Sequence, residues 1–298
     1  MPVTINTPLT LQSGLVFPNR LVKAAMTEGL ADPRNRVTEE HLTLYRRWAE
    51  GGAGGLITGN VQIDRHHLER VGNVVIDAKT GEDEMDGFSR WAEAAKSKGA
   101  ALVMQVSHAG RQTPKLVNPR PAAPSPVALG LPGGQFGEPR AMTADEIGAV
   151  VEGFGRAAKV AKRTGFDGIQ VHAAHGYLLS SFLSPLANRR EDDWGGPLEN
   201  RARLLVDCVR EAKVQGGAGF SVSVKLNSAD FQKGGFSHAD CLMVIDILNG
   251  LGVDFVEISG GNYEQPKMMD MQGLEPSFEE TKRTSTRDRE AYFLSYAK

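Results

Sequence analysis

Two imidazoles and a phenol fall within six residues in the run His172-Ala173-Ala174-His175-Gly176-Tyr177. Imidazole N–H groups can hold a carbonyl oxygen and stabilise negative charge that develops on it. A phenol beside them can deliver a proton. A lone histidine is usually a hydrogen-bonded structural residue. Three such groups at the carboxyl end of one apolar run, Ile169-Gln170-Val171, point instead to a site. The His-x-x-His spacing also suits zinc, so a metal-dependent barrel hydrolase is the rival chemistry. The first strand ends Lys23-Ala24-Ala25-Met26-Thr27, with no His or acid where many such hydrolases place ligands.

Other runs end on polar groups in the same way: Thr58-Gly59-Asn60, then Met104-Gln105-Val106-Ser107-His108, then Val224-Lys225-Leu226-Asn227. A side-chain amide such as Gln105 can read the pyrimidine edge of a flavin. A cation such as Lys225 can stabilise its N1–C2=O region, which becomes negative on reduction. A lysine on a buried strand is the least bland of these signals, because an unpaired buried charge is costly.

The elements that must hold these groups follow a repeated phrase of amphipathic helix, glycine and short apolar strand. It reads over 91–98, Gly99 and 101–106, then over 157–164, Gly165 and 168–171. It returns over 242–251, Gly252 and 254–258. Glycine stops a helix there because it takes positive φ without Cβ strain. Strands are also expected over 21–25, 55–58 and 221–226, all as continuous apolar runs covered on both faces. Thr143 with Glu146 forms a capping box, and Pro197 suits the first turn of a later helix. Strand–helix alternation implies a parallel α/β sheet. The long connections, 107–142, 173–196 and 259–285, all follow strands, so the carboxyl ends of the strands carry the site. Residues 9–17, with Gly14 at the centre, read as a hairpin plugging a barrel floor. The cluster Gly51-Gly52-Ala53-Gly54-Gly55 follows a helix and precedes a strand. That is the reverse of a dinucleotide-binding fingerprint, so it ends the helix and lets it pack closely.

With 298 residues and 41% hydrophobic content, the chain can bury a large core. The net charge of −2 gives no reason to expect a nucleic-acid or membrane-surface binder. Two cysteines, Cys208 and Cys241, exclude a disulfide framework or a four-cysteine iron–sulfur site and are expected to pack as small apolar groups. No apolar run reaches a membrane span, and the first residues do not read as a secretory signal. A cytoplasmic protein with a small-molecule substrate is expected, with a homo-oligomer possible.

The run from His172 to Tyr177, followed by Leu183-Ser184-Pro185, Asn188, Arg190, Asp192, Gly195-Gly196 and Glu199-Asn200-Arg201, resembles the signature region of the Old Yellow Enzyme family. Asn19-Arg20, Met26-Thr27, Gln105 and His108-Ala109-Gly110-Arg111 extend the resemblance from about residue 9 to 298. It implies FMN, a (β/α)8 barrel of the TIM type, and reduction of activated alkenes by NADH or NADPH. By position, His172 and His175 would bind the substrate carbonyl and Tyr177 would protonate the α-carbon. Thr27 would tune the flavin near its C4 oxygen, Gln105 would hold the pyrimidine edge, and Ala25, Met26, Asn60 and Lys225 would complete the cofactor site, with no metal. Lys225 replaces an arginine common in the family, Asn60 a small residue and Ala25 a proline. The resemblance carries about six βα units, one domain over 1–298, and ends in a helix over 287–298. The family's phosphate-binding loops follow strands seven and eight, which would make this chain a truncated form with weak or no FMN binding.

Overall fold

The computed structural model describes residues 2–265. The helix expected over 287–298, and the part of the 259–285 connection beyond residue 265, lie outside the described residues. A hairpin opens the chain: β1 (Leu9–Thr10) pairs antiparallel with β2 (Val16–Phe17), with Gly14 at φ 89° in the turn. Then follow β3 (Val22–Lys23), α1 (Glu39–Ala49), β4 (Gly55–Ile57), β5 (Val61–Gln62), α2 (Met85–Lys96) and β6 (Ala101–Ser107). A short parallel pair, β7 (Ala122–Ala123) and β8 (Arg140–Ala141), lies in the long loop before α3 (Ala144–Arg163). The rest runs β9 (Gly168–Ala173), α4 (Leu178–Leu183), α5 (Leu198–Gly216), β10 (Ser221–Asn227), α6 (His238–Gly250) and β11 (Val256–Ser259).

The main sheet is ordered β3-β4-β6-β9-β10-β11, all parallel, with β5 alongside the end of β6. Each helical crossover adds its strand beside the last one, in a single direction. A doubly wound sheet would reverse direction part-way; this sheet curls as part of a TIM-type barrel. The hairpin plugs the floor as expected. Leu11 and Phe17 pack with Ala101, the first residue of β6, and with Phe255 just before β11. Ser13 N–H donates to Asp254 Oδ1 at 2.8 Å.

The turns after the helices behave as their sequence requires. Gly99, Gly165 and Gly252 all have positive φ, at 83°, 88° and 65°. Thr143 Oγ1 accepts the Glu146 N–H and Glu146 Oε2 accepts the Thr143 N–H, closing the capping box. Pro197 stands one place earlier than expected, at the N-cap of α5. Its φ of −62° is compatible with an extended cap residue, and its carbonyl accepts the Arg201 N–H at 3.1 Å to start the helix. Cys208 and Cys241 are free and buried in α5 and α6. Burial pushes the Cys241 thiol up to about 11, so neither behaves as a reactive thiolate. No helix among the described residues is long and apolar enough to cross a membrane.

The strands differ from the expected continuous apolar runs. Leu102, Met104, Val106, Ile169, Val171, Val222, Val224 and Leu226 join one core with Trp91, Phe154 and Leu205 of the helices. Toward the carboxyl ends of the same strands several alternate residues are polar, and they pair with one another. Gln105 Nε2 donates to Gln170 Oε1 at 2.7 Å, Gln170 Nε2 to Glu257 Oε2 at 2.9 Å, and Lys225 Nζ to Glu257 Oε1 at 2.9 Å. A chain of hydrogen bonds across four strands makes a polar barrel interior tolerable. It also answers the cost of burying Lys225, which the sequence left without a partner.

The glycine cluster works through close approach. A Cβ on Gly54 would meet Asn19 O at 2.4 Å and Asn19 N at 2.8 Å. Gly148, the fifth residue of α3, faces open space. We expect Gly54→Ala to lower stability by ~1–3 kcal/mol through overpacking. Gly148→Ala should raise it by ~0.5–1 kcal/mol through helix propensity. Urea midpoints of the two variants check the contrast, and equal shifts would contradict it.

Candidate active site

The carboxyl end of β9 turns sharply at two consecutive residues of left-handed backbone, His175 at φ 63° and Gly176 at φ 79°. Glycine adopts this region freely, whereas histidine does so at a cost. Three contacts hold His175 there. Its N–H donates to Asn227 Oδ1 at 3.0 Å, its carbonyl accepts Gln112 Nε2 at 3.0 Å, and its backbone bridges to Asn262. The turn makes Tyr177 the N-cap of α4, and Leu178 N–H then donates to His108 O at 3.0 Å.

This geometry gathers the three rings that the sequence singled out. His172 lies 5.0 Å from Tyr177 and 5.1 Å from His175, centroid to centroid, and His175 lies 6.4 Å from Tyr177. His172 Nδ1 accepts the Ala174 N–H at 3.2 Å, so its proton is on Nε2. His175 Nε2 meets Ser259 Oγ at 2.6 Å. Burial, then His175 and Lys225, push His172 well below the ordinary imidazole range. Burial and Lys225 bring His175 down to about 3. Both are therefore neutral near pH 7 and offer N–H groups rather than cations. Burial, with Tyr263 and Glu69 beside it, raises the Tyr177 phenol well above its usual value. Tyr177 is thus a protonated donor.

The expected cofactor residues border the same polar interior. Gln105 and Lys225 belong to the hydrogen-bonded chain described above. Thr27 Oγ1 donates to Asn60 Oδ1 at 3.4 Å, and Asn73 Nδ2 holds the same oxygen at 2.9 Å. Ala25 and Thr27 are half-buried and Met26 is exposed, in the segment following β3. Several buried polar atoms near the carboxyl ends of strands have no partner in the protein: the amide of Gln62, Ser107 Oγ and Ser228 Oγ. A flat heteroaromatic ring with polar edges is the kind of group such a rim accommodates, so the residues fit a flavin.

Among the described residues, one cluster has the composition of a metal site: Asp64, His67 and His108. It does not include His172 or His175. It lines a cavity of about 370 Å³ walled partly by α3 residues such as Glu146 and Val150, on the helical side of the sheet. Its proton placement opposes a metal. Ala122 N–H donates to His67 Nε2 at 2.9 Å, and Gly110 N–H donates to His108 Nδ1 at 3.0 Å. Each ring has spent its lone pair on the backbone and turns an N–H toward Asp64, His67 Nδ1 at 2.7 Å from Oδ2 and His108 Nε2 at 4.0 Å. Burial would raise the Asp64 carboxyl. The His67 hydrogen bond, His108 and the His66 N–H outweigh it and hold the group below the usual carboxylate range. The cluster is a clamped carboxylate that anchors the turn after β5.

Residues 4–287 match the sequence model of the NADH:flavin oxidoreductase / NADH oxidase family. The chain belongs to that family. An NADH-dependent flavin oxidoreductase of Hypocrea jecorina (strain QM6a) is 36% identical over 98% of this chain and 75% of its own length. An NADH-dependent flavin oxidoreductase of Neonectria sp. (strain DH2) is 38% identical over 98% of this chain, which spans 40% of that relative. Among solved structures, morphinone reductase superposes with a TM-score of 0.76 at 26% identity, covering 99% of this chain and 77% of its own.

Sequence reasoning left several residues of this family member's site unread. Tyr263 places its hydroxyl 2.9 Å from the Tyr177 hydroxyl. Glu264 pairs with Arg111 at 2.6 Å and accepts the Gly130 N–H at 3.0 Å. Gln112, Asn227 and Ser259 fix His175. A signal existed in Ser259-Gly260-Gly261-Asn262-Tyr263-Glu264, a polar run at the carboxyl end of the last strand. Its position matches that of the runs that were read as site-forming.

Proposed function

We propose that this protein is an FMN-dependent oxidoreductase that passes hydride from NADH or NADPH to the C=C bond of α,β-unsaturated carbonyl compounds. The observation that carries this reading is the grouping of two neutral imidazoles and a protonated phenol beside a polar barrel interior, in a chain of this family. Bound FMN supplies the hydride chemistry. Gln105 would hold the pyrimidine edge, Thr27 would sit by the C4 oxygen, and Lys225 would lend positive charge near N1, tempered by its ion pair with Glu257. Ala25, Met26 and Asn60 would border the ring. His172 and His175 hold the substrate's carbonyl oxygen through N–H groups and stabilise the charge that grows on it. Tyr177 delivers the proton to the α-carbon. The domain is read as one barrel over residues 1–298, working in the cytoplasm on small molecules.

Phenolates mimic the charged carbonyl oxygen and give a long-wavelength charge-transfer band with flavin. His172→Ala and His175→Ala are each expected to weaken phenolate binding by roughly 3 kcal/mol, the loss typical of one oxyanion donor. Titration of the band in FMN-reconstituted protein reads the affinity. Unchanged affinity in both variants would show that the imidazoles serve something other than an oxyanion. A protein that stays colourless after reconstitution would remove the whole reading.

A further inference from the structure

Tyr177 spends its proton in every turnover, and the structure limits what can return it. The side chain is buried, at 6% exposure. Among the described residues, the one group hydrogen-bonded to its hydroxyl is the hydroxyl of Tyr263, at 2.9 Å. A phenolate left at Tyr177 would be costly, because burial already pushes that phenol well above its ordinary value. We propose that Tyr263 reprotonates Tyr177, so that two phenols form a relay from the buried acid toward solvent. The inference rests on the proton-donor role given to Tyr177 above.

The surroundings of Tyr263 suit a relay. Tyr263 is half-buried where Tyr177 is buried, so the pair runs outward. Burial and the Glu69 carboxylate bring the Tyr263 phenol up to about 12. It therefore rests protonated and ready to donate. Glu69 also hydrogen-bonds the Tyr263 hydroxyl and favours its protonated form, while the nearby Arg70 charge opposes it. The backbone on either side is clamped: Glu264 by Arg111 and the Gly130 N–H, Asn262 by Gln232 at 2.7 Å. The Phe136 ring, 5.9 Å away, covers Tyr263 from the long loop after β6. A hydroxyl fixed in this way meets Tyr177 at a constant distance, which proton transfer requires.

The step balances. The Tyr177 O–H bond breaks as a C–H bond forms on the α-carbon, and the hydride that bound FMN would supply accounts for the β-carbon. The Tyr263 O–H bond then breaks as the Tyr177 O–H bond re-forms. Water returns one proton to Tyr263. The net consumption is one hydride and one solvent proton per alkene.

The test compares first and later turnovers of Tyr263→Phe in FMN-reconstituted protein. Cyclohexenone is the substrate, and flavin reduction is kept fast by saturating reductant. The first alkene should be reduced at close to the wild-type rate, because Tyr177 still holds its own proton. Later turnovers should slow by about 10- to 100-fold, less than the ~10²–10⁴-fold of losing a general acid outright. A burst of one product per flavin should appear, followed by a linear phase with a larger solvent deuterium isotope effect than wild type. Equal loss in first and later turnovers would make Tyr263 a positioning residue and overturn the relay. No loss in either would show that water reprotonates Tyr177 directly, which also overturns it. Phenolate binding by the variant confirms an intact site. Wild-type protein that binds FMN and phenolate but leaves cyclohexenone untouched would sink the proton-donor reading itself, a failure distinct from that of the relay.

Discussion

Tyr177→Phe should slow reoxidation of the reduced flavin by cyclohexenone by ~10²–10⁴-fold, the usual worth of a positioned general acid. Flavin reduction by NADH should stay near the wild-type rate. The asymmetry follows from where the phenol sits and what the two half-reactions need. Only alkene reduction places a proton on carbon. The phenylalanine ring fills the same space and keeps the 5.0 Å contact with His172. What changes is the hydroxyl, whose protein partner is Tyr263. The histidines are untouched and should still hold the carbonyl, so substrate affinity should change little. A fall in k for the oxidative step without a rise in the enone's dissociation constant is the signature of an interaction made only in the transition state. Stopped-flow traces of both half-reactions decide it. Equal loss in both would assign Tyr177 to binding the cofactor or the nicotinamide instead.

What the sequence made legible at this candidate site was local, and what it hid was not. His172, His175 and Tyr177 lie within one turn, and their spacing alone implied a cluster. The left-handed pair His175-Gly176 that makes the cluster compact was not legible, because the contacts that stabilise it come from Gln112, Asn227 and Asn262, far away in the chain. The strand order followed from the helix–glycine–strand phrase, since each crossover is short on the side that returns to the sheet. The polar interior was harder to foresee. Gln105, Gln170, Lys225 and Glu257 each look like an isolated interruption of an apolar run. Only the register, with Gln105 beside Gln170 and Lys225 beside Glu257, makes them one network. The short strand β5 was missed for a similar reason. Val61 and Gln62 pair with Val106 and Ser107, and two residues carry too little pattern to be seen alone. Asp64, His67 and His108 show the opposite hazard. Their types suggest a metal, and only the backbone N–H groups of Gly110 and Ala122 reveal that the lone pairs are already used.

The buried imidazoles, those of the site among them, should make the protein sensitive to acid at an unusually high pH. An unfolded imidazole titrates near 6.5. In the folded chain His175 and His108 titrate at about 3 and His41 at about 4, with burial the leading cause for each, and His172 lies well below 6.5. Between those folded values and 6.5, the unfolded chain binds protons that the folded chain refuses. Stability present above pH 6.5 is therefore lost as pH falls. At pH 5 each such histidine costs about 2 kcal/mol, being ~1.5 pH units at ~1.4 kcal/mol per unit. His175, His108 and His41 together approach about 6 kcal/mol, a large share of the ~5–15 kcal/mol that holds an ordinary domain, and His172 acts in the same direction. Carboxylates act in a lower window. Glu146, held at about 2 chiefly by its hydrogen bond to Arg140, gives up its contribution only below its ordinary 4.5. The onset therefore separates the two causes. Urea unfolding at pH 7, 6 and 5 should show the midpoint already falling between pH 7 and 6 and more steeply between pH 6 and 5, above the window in which Glu146 contributes. A midpoint constant down to pH 5 would mean that these rings take up protons without unfolding, through local opening at the mouth of the site, and that their burial is less binding than the geometry implies.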